Sequence, residues 1–127
     1  MKLFNPTSQH PARAVQAWQI LVGKAMNRQT TTYLELSHLM YAGRDAQGVL
    51  AQILGHIAYY CIDNELPPLT SIVVIKGGGT PGEGIPVDPS QIVAQREAAF
   101  EFDWHNVYPP FENDLKSAYD RHEKKTS

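Results

Sequence analysis

Histidine, cysteine and carboxylate side chains are the groups in this sequence that could bind a metal ion or transfer protons. The histidines are His10, His38, His56, His105 and His122. No two of them have the close spacing that sets two imidazoles on one helix face, and no cysteine pair accompanies them. The sequence therefore predicts no metal site, and no cofactor is expected.

Acid–base and nucleophilic catalysis have equally little support. Cys61 follows His56 by five residues, a spacing that separates two side chains on a helix, so Cys61 is expected to pack in the core. Glu83, Asp103 and His105 are the candidates for a general acid or base, but nothing near them fixes a nucleophile or a cofactor. We therefore expect a protein that is not an enzyme.

A glycine-rich segment follows Lys76 and ends at Gly84. Closely spaced glycines can present backbone N–H groups to a phosphate. The Lys-Ser or Lys-Thr ending of a phosphate-binding loop is absent, however, and no helix follows directly. The favoured interpretation is a flexible tip between two strands, with Lys76 at its base.

The composition predicts one globular domain over residues 1–127. With 43% hydrophobic residues, the chain can form one core but not two. A lone cysteine and the lack of a signal-peptide pattern at the N-terminus predict a cytoplasmic protein. No stretch is apolar enough to predict a membrane span.

Charge is distributed unevenly along the chain. Residues 1–87 carry six Lys or Arg against five Asp or Glu, whereas residues 88–127 carry five against eight. The first part is therefore near neutral and the second part is acidic. Because proteins that bind duplex DNA usually present a basic surface, any contact with DNA must rest on local charge.

Helical periodicity and helix-end signals define the elements of the first half. A first helix is expected from about Pro11 to Ala25. Thr32 with Glu35 three places on marks the capped start of a short second helix. A third helix is expected over residues 49–62, and its apolar set makes it the central helix of the fold.

Short β-branched runs and a cap signal define the second half. Residues Ile72–Ile75 predict a buried strand, and residues 85–87 predict a second strand that completes a hairpin, the wing. Asp88 then supplies an N-cap for a fourth helix, which is expected to end near Trp104. A last helix is expected from about Phe111.

Together these elements predict an α+β fold that is mostly helical. A winged helix-turn-helix-like core with a β-hairpin wing covers about residues 11–87, and two additional C-terminal helices cover about residues 88–124. This order places helices two and three where a helix-turn-helix motif has them.

The segment Arg-Gln-Thr-Thr-Thr-Tyr-Leu-Glu-Leu at residues 28–36 resembles the start of the helix-turn-helix in alkylguanine-DNA alkyltransferases and alkyltransferase-like proteins. In those families the recognition helix leads to Pro-Cys-His-Arg or Pro-Trp-His-Arg, and the corresponding residues 66–71 lack that tetrapeptide. The resemblance therefore implies a related fold and not alkyl transfer. In general look, the chain is also similar to small proteins of bacterial mobile elements, including integron cassettes.

DNA binding is the first functional hypothesis, with double-stranded DNA as the partner. The candidate contact residues are Arg28, Thr31, Tyr33, Arg44, Gln47, Gln52 and Lys76. Glutamine side chains on the third helix can pair with adenine edges, and hydroxyl groups at a helix start can donate to phosphates. In the alternative interpretation the third helix is buried on most sides, and its polar residues, including His56 and Tyr59, mark only a narrow solvent stripe.

The second hypothesis is a protein-interaction or small-ligand-binding protein in which the winged fold is only a scaffold. Aromatic residues are dense between Phe100 and Phe111, more so than one helix face can bury. The candidates for a ligand site or an interface are Tyr59, Phe102, Trp104, His105, Tyr108 and Phe111. Such a cluster can line a pocket or a subunit interface, which makes a homodimer or another protein partner reasonable.

Overall fold

The helices of this protein are held around one central helix. A computed structural model describes residues 3–4, 10–44, 47–74 and 89–126, and for residues 47, 89 and 124–126 it describes the backbone alone. The helices of the described part are α1 (His10–Met26), α2 (Tyr33–Met40), α3 (Gln47–Asp63), α4 (Ile92–Glu101) and α5 (Glu112–Thr126). Short 3-10 turns cover Leu69–Ile72, Pro89–Gln91 and Trp104–Asn106.

The first two helices follow the predicted pattern. α1 begins at His10, beside Pro11, and buries Trp18 on the side that faces the core. At the start of α2, Thr32 Oγ1 accepts a hydrogen bond from the backbone N–H of Glu35 at 3.1 Å, which confirms the predicted cap. The cap satisfies one of the N–H groups that a helix leaves without a partner in its first turn.

α3 is the central helix. Leu50, Ile53, Leu54 and Ile57 are fully buried, and every residue in the stretch 53–58 is buried. α1 and α5 both pack against α3. Because a helix that is buried all round belongs to a core, α3 presents no continuous exposed face over this stretch.

A parallel pair of very short strands links the beginning of α2 to the segment after α3. The strands are β1 (Thr31–Thr32) and β2 (Val73–Val74), with Thr31 opposite Val73. Ile72, which was expected in the strand, belongs to the preceding 3-10 turn. Parallel strands require a crossover connection, and α2 and α3 provide it.

Several predicted elements lie outside the described residues. These are the wing tip with Lys76, the second hairpin strand at residues 85–87 and the N-cap Asp88. Within the described ranges the sheet consists of two parallel strands, so the protein is mostly helical with a small sheet. The β-hairpin wing and the winged helix-turn-helix stay predictions.

The C-terminal elements pack onto the N-terminal helices. The indole ring of Trp104 meets Trp18 edge to face, with 5.6 Å between centroids, and its Nε1–H donates to the carbonyl of Ala99 at 2.8 Å. On α5, Leu115 and Ala118 are buried, and the helix contacts both α1 and α3. No helix in the described ranges is long and apolar enough to cross a membrane.

Candidate functional site

α5 covers the polar side of α3, which the DNA hypothesis requires to be free. His56 is 4% exposed and stacks on Tyr119 of α5, with 4.1 Å between ring centroids and 10° between ring planes. Gly55 permits this approach, because a Cβ atom there would lie 3.2 Å from Cε1 of Tyr119. Gln52, one turn earlier, is exposed. Of the described side chains in the predicted stripe, only that of Gln52, near the start of α3, is therefore exposed.

Four rings alternate between α3 and α5 along this contact. Tyr59 lies 6.1 Å from Tyr119 and stacks on His122 with 4.3 Å between centroids and 7° between planes. Together with His56 these rings form what we call the α3–α5 ring stack. Close aromatic pairs add about 0.5–1.5 kcal/mol beyond the area that they bury, so the stack holds α5 in place.

Burial sets the charge of His56. Its Nδ1–H donates to the carbonyl oxygen of Gln52 at 2.7 Å. Desolvation lowers the pKa of His56; the hydrogen bond and the charge of Asp120 oppose this shift, whereas the charges of His10 and Lys116 add to it. The imidazole of the folded protein is therefore neutral at pH 7.

Ion pairs hold the other end of the α3–α5 ring stack. Asp63, the last residue of α3, accepts hydrogen bonds from Nη2 of Arg121 at 2.7 Å and from Nε2 of His122 at 2.8 Å. Partial desolvation raises the pKa of Asp63, but the two hydrogen bonds and the positive charges of their donors outweigh it and hold the pKa below its ordinary value. The C-terminal part of α5 is thus fastened to the end of α3.

Three of the candidate DNA contacts are engaged within the protein. The guanidinium group of Arg28 pairs with Glu97 of α4 and lies 5.2 Å from the centroid of the Phe100 ring. Thr31 is buried in β1, and Tyr33 is half-buried and packs against the core. A phosphate at this position would have to compete with Glu97 for Arg28.

The remaining candidate DNA contacts lie near the start of α3. Arg44 and Gln52 are exposed. The side chain of Gln47 and all of Lys76 lie outside the described residues. The structure thus brings Arg44 and Gln52 to one end of α3 and leaves Arg28 beside α4. DNA binding by these residues stays a prediction.

The described acid–base candidates lie on the surface. Asp103 and His105 are exposed at the short turn after α4, and Glu83 lies outside the described residues. Burial raises the pKa of Cys61 to about 12, so its thiol is protonated at neutral pH and packs as an apolar group. In the part of the chain that the structure describes, no group of three or more His, Cys, Asp or Glu side chains could hold a metal ion.

The aromatic candidates divide into core and surface residues. Trp104 is 2% exposed, and the half-buried Phe102 packs on it with 4.6 Å between ring centroids. Tyr59 belongs to the α3–α5 ring stack. Tyr108 and Phe111 are 94% and 79% exposed. Phe102 and Trp104 therefore serve the core, whereas Tyr108 and Phe111 can meet a partner.

An open apolar cleft lies beside Phe111. Its volume is about 480 Å³, a size that suits a small ligand or a side chain of a partner. Its apolar lining residues are Leu3, Phe4, Ala12, Val15, Pro110 and Phe111. Its polar lining residues are Glu112 and Asn113, which are exposed. We call this feature the Phe111 cleft.

The start of α5 places Phe111 at the edge of the cleft. The backbone N–H of Phe111 donates to Oδ2 of Asp114 at 2.8 Å, which fixes Phe111 just before the first helical turn. Pro110, which precedes it, is buried. Ala12 and Val15 line the cleft from the first turns of α1. Both helices that form the cleft are thus anchored in the core.

The sequence pattern missed the α5 side of the ring stack and the α1 side of the cleft. The stack has a signal in retrospect: His56, Tyr59 and Asp63 share one face of α3, and Tyr119 and His122 stand three apart on α5. Leu3 and Phe4, the N-terminal residues that line the cleft, carry no comparable sequence signal.

Comparisons with protein-family models, with curated proteins and with solved structures found no match. The α3–α5 ring stack is accounted for as a contact between helices, whereas the Phe111 cleft leaves large apolar side chains exposed to water.

Proposed function

We propose that this chain is a non-enzymatic binding module that takes an apolar group of a protein partner or small ligand into the Phe111 cleft. The observation that carries the proposal is the 79% exposure of Phe111 at the edge of an open apolar cleft. Removing apolar surface from water contributes about 25 cal/mol per Å², so an occupant that covers Phe111 gains free energy on binding.

The surroundings of the cleft support this function. The cleft lies between the first turns of α1 and the start of α5, and both helices pack against α3. A site on anchored helices needs little ordering before it binds, which lowers the entropic cost of association. Leu3, at 71% exposure, adds a second large apolar side chain to the rim.

NMR titration of the labelled protein tests the proposal. N-acetyl-phenylalanine amide and N-acetyl-leucine amide serve as probes, and N-acetyl-glycine amide serves as the control. The two apolar probes are expected to produce saturable shifts confined to the amides of residues 3–4, 12–15 and 111–113, the segments that contain lining residues of the cleft. The glycine probe is expected to produce none.

Two variants complete this experiment. Phe111→Ala is expected to abolish the shifts, because it removes an aromatic side chain that lines the cleft. Val93→Ala, which shortens a 75% exposed apolar side chain on α4, is expected to leave them unchanged. Shifts that are scattered, unsaturable or insensitive to Phe111→Ala would refute the proposal.

A winged helix-turn-helix module that binds double-stranded DNA is the second candidate. The element order α1, β1, α2, α3, β2 and the exposure of Arg44 and Gln52 support it. It ranks second because α5 covers His56 and most of Tyr59, which leaves few side chains of α3 for base contacts. A gel shift of labelled duplex at low salt that Arg44→Ala weakens would favour this candidate, and no shift would remove it.

A further inference from the structure

The described rim of the Phe111 cleft is acidic. Glu112 lines the cleft, and Asp114 stands in the same first turn of α5. Lys116 does not neutralise Glu112, because its Nζ donates to Oδ2 of Asp120 at 2.8 Å. Among the described residues, the carboxylate of Glu112 forms no ion pair.

The carboxylates at the start of α5 disfavour an anion in the cleft. A helix N-terminus favours negative charge, and here the carboxylates of Glu112 and Asp114 already occupy it. Asp114 also accepts the backbone N–H of Phe111, a group that an anion could otherwise have used. A phosphate or an acidic segment in the cleft would therefore meet the like charge of Glu112 and Asp114.

The C-terminal part of the chain also has a negative net charge. Residues 88–127 carry eight Asp or Glu against five Lys or Arg. A cationic partner would be attracted toward this part of the molecule, which raises its association rate. A second copy of the chain in a twofold contact at the cleft would instead bring a second Glu112 to the same rim.

We infer that the occupant of the Phe111 cleft is a segment of a protein partner that carries an aliphatic or aromatic side chain next to a Lys or Arg. This inference rests on the proposed function. The apolar side chain enters the cleft beside Phe111, and the cation pairs with Glu112 at the rim. The apolar contact supplies most of the affinity, and the charge selects among apolar segments.

Selection from a random-peptide display library on the immobilised protein tests the inference. The enriched peptides are expected to combine an apolar residue with an adjacent Lys or Arg. One such peptide is then synthesised, labelled and titrated by fluorescence anisotropy at low salt. Glu112→Gln is expected to weaken its binding about three- to fivefold and Glu112→Lys about tenfold, in the range of exposed charge pairs with added repulsion.

Matched variants separate the rim charge from the net charge. Glu65→Lys makes the same charge change at an exposed position after α3 and is expected to leave the affinity unchanged. Phe111→Ala is expected to abolish binding. Higher salt is expected to reduce the difference between the Glu112 variants and the original protein, because it screens exposed charges.

The outcomes distinguish the choice of occupant from the binding role of the cleft. Enriched peptides without a preference for Lys or Arg, or equal binding by Glu112→Lys, would overturn the inference and leave the proposed function standing. The absence of any enriched peptide whose binding depends on Phe111 would also overturn the inference, and the proposed function would then be decided by the NMR titration with the two apolar probes. A dimer seen by analytical ultracentrifugation and lost in Phe111→Ala would assign the cleft to a second copy and overturn the inference.

Discussion

Gly55 has no side chain, and this allows α3 and α5 to approach each other closely. Cε1 of Tyr119 lies where a methyl group at residue 55 would need space, 3.2 Å from the Cβ position. The flat contact between Tyr119 and His56 depends on that space. Gly23 on α1 is the opposite case, since no atom lies within 4 Å of its Cβ position.

The two glycines therefore respond differently to the same substitution. Gly23→Ala is expected to raise the free energy of unfolding by about 0.5–1 kcal/mol, because alanine loses less backbone entropy on entering a helix. Gly55→Ala is expected to lower the free energy of unfolding by about 1 kcal/mol or more, because the methyl group displaces Tyr119. Urea unfolding measures both changes. Equal gains at both positions would show that Tyr119 does not sit against Gly55 in solution.

At the scale of elements, the packing of α5 determines which polar residues of α3 face solvent. The polar residues of α3 look like a solvent-facing stripe when the helix is considered alone. In the folded protein His56 and Tyr59 pack against the rings of α5, and Asp63 binds Arg121 and His122. This contact includes three groups with shifted pKa values, His56, Asp63 and Tyr119, so its strength depends on pH.

Acid is expected to weaken the contact between α3 and α5. The pKa of His56 is lower in the folded protein, so the unfolded chain binds its proton more readily and stability falls as pH drops below about 6.5. The pKa of Asp63 is also lowered, so the stability from its ion pairs is present above about pH 3.9 and is lost as pH falls through the folded pKa. Both effects have the same sign.

Urea unfolding from about pH 7.5 to 5.5 covers the range in which the contribution of His56 changes, and comparison with a variant separates it from those of other groups. His56→Gln is expected to flatten the dependence of the unfolding free energy on pH in this window. His105→Gln removes an exposed histidine and serves as the control, with the slope retained. A slope that is unchanged in His56→Gln would contradict the assignment.

At the scale of the whole molecule, one apolar core runs through the described elements. It joins Ala14 and Trp18 of α1, Ile57 of α3 and Leu115 of α5 in one contiguous cluster. The last helix is therefore part of the core and not an appendage to it. Its removal would leave apolar faces of both α1 and α3 without cover.

A chain that ends after Phe111 is expected to lose cooperative unfolding, because the partners of Leu115 and Ala118 become exposed. A chain that ends after Glu123 keeps those contacts and is expected to unfold like the full chain. Circular dichroism with urea, together with NMR peak dispersion, compares the two. Cooperative folding of the shorter chain would show that α5 is dispensable.

Local signals predicted the helices of the first half well. The apolar period that contains Trp18 indicated α1, and Thr32 with Glu35 indicated the start of α2, because these patterns depend only on neighbours in the chain. The cover of α5 over α3 could not be predicted this way. Whether His56 faces water or a ring depends on a helix that follows it much later in the chain.

Local sequence signals also failed to predict the strand pairing and the surface residues of the candidate site. Two-residue strands such as β1 carry no periodic signal, so their parallel pairing was not predicted. Among the aromatic candidates, composition could not separate Trp104, which fills the core, from Phe111, which remains on the surface. The choice depends on the turn at Pro110 and on the cap by Asp114.

The pairing of β1 with β2 has a consequence for the order in which the chain folds. Thr31 meets Val73 only after about forty intervening residues have been brought back on themselves, at a loop-closure cost that two short strands cannot repay alone. α2 and α3 shorten that loop by folding within it. We therefore expect the strand pair to form late, after the helical core has assembled, and not to serve as the folding nucleus.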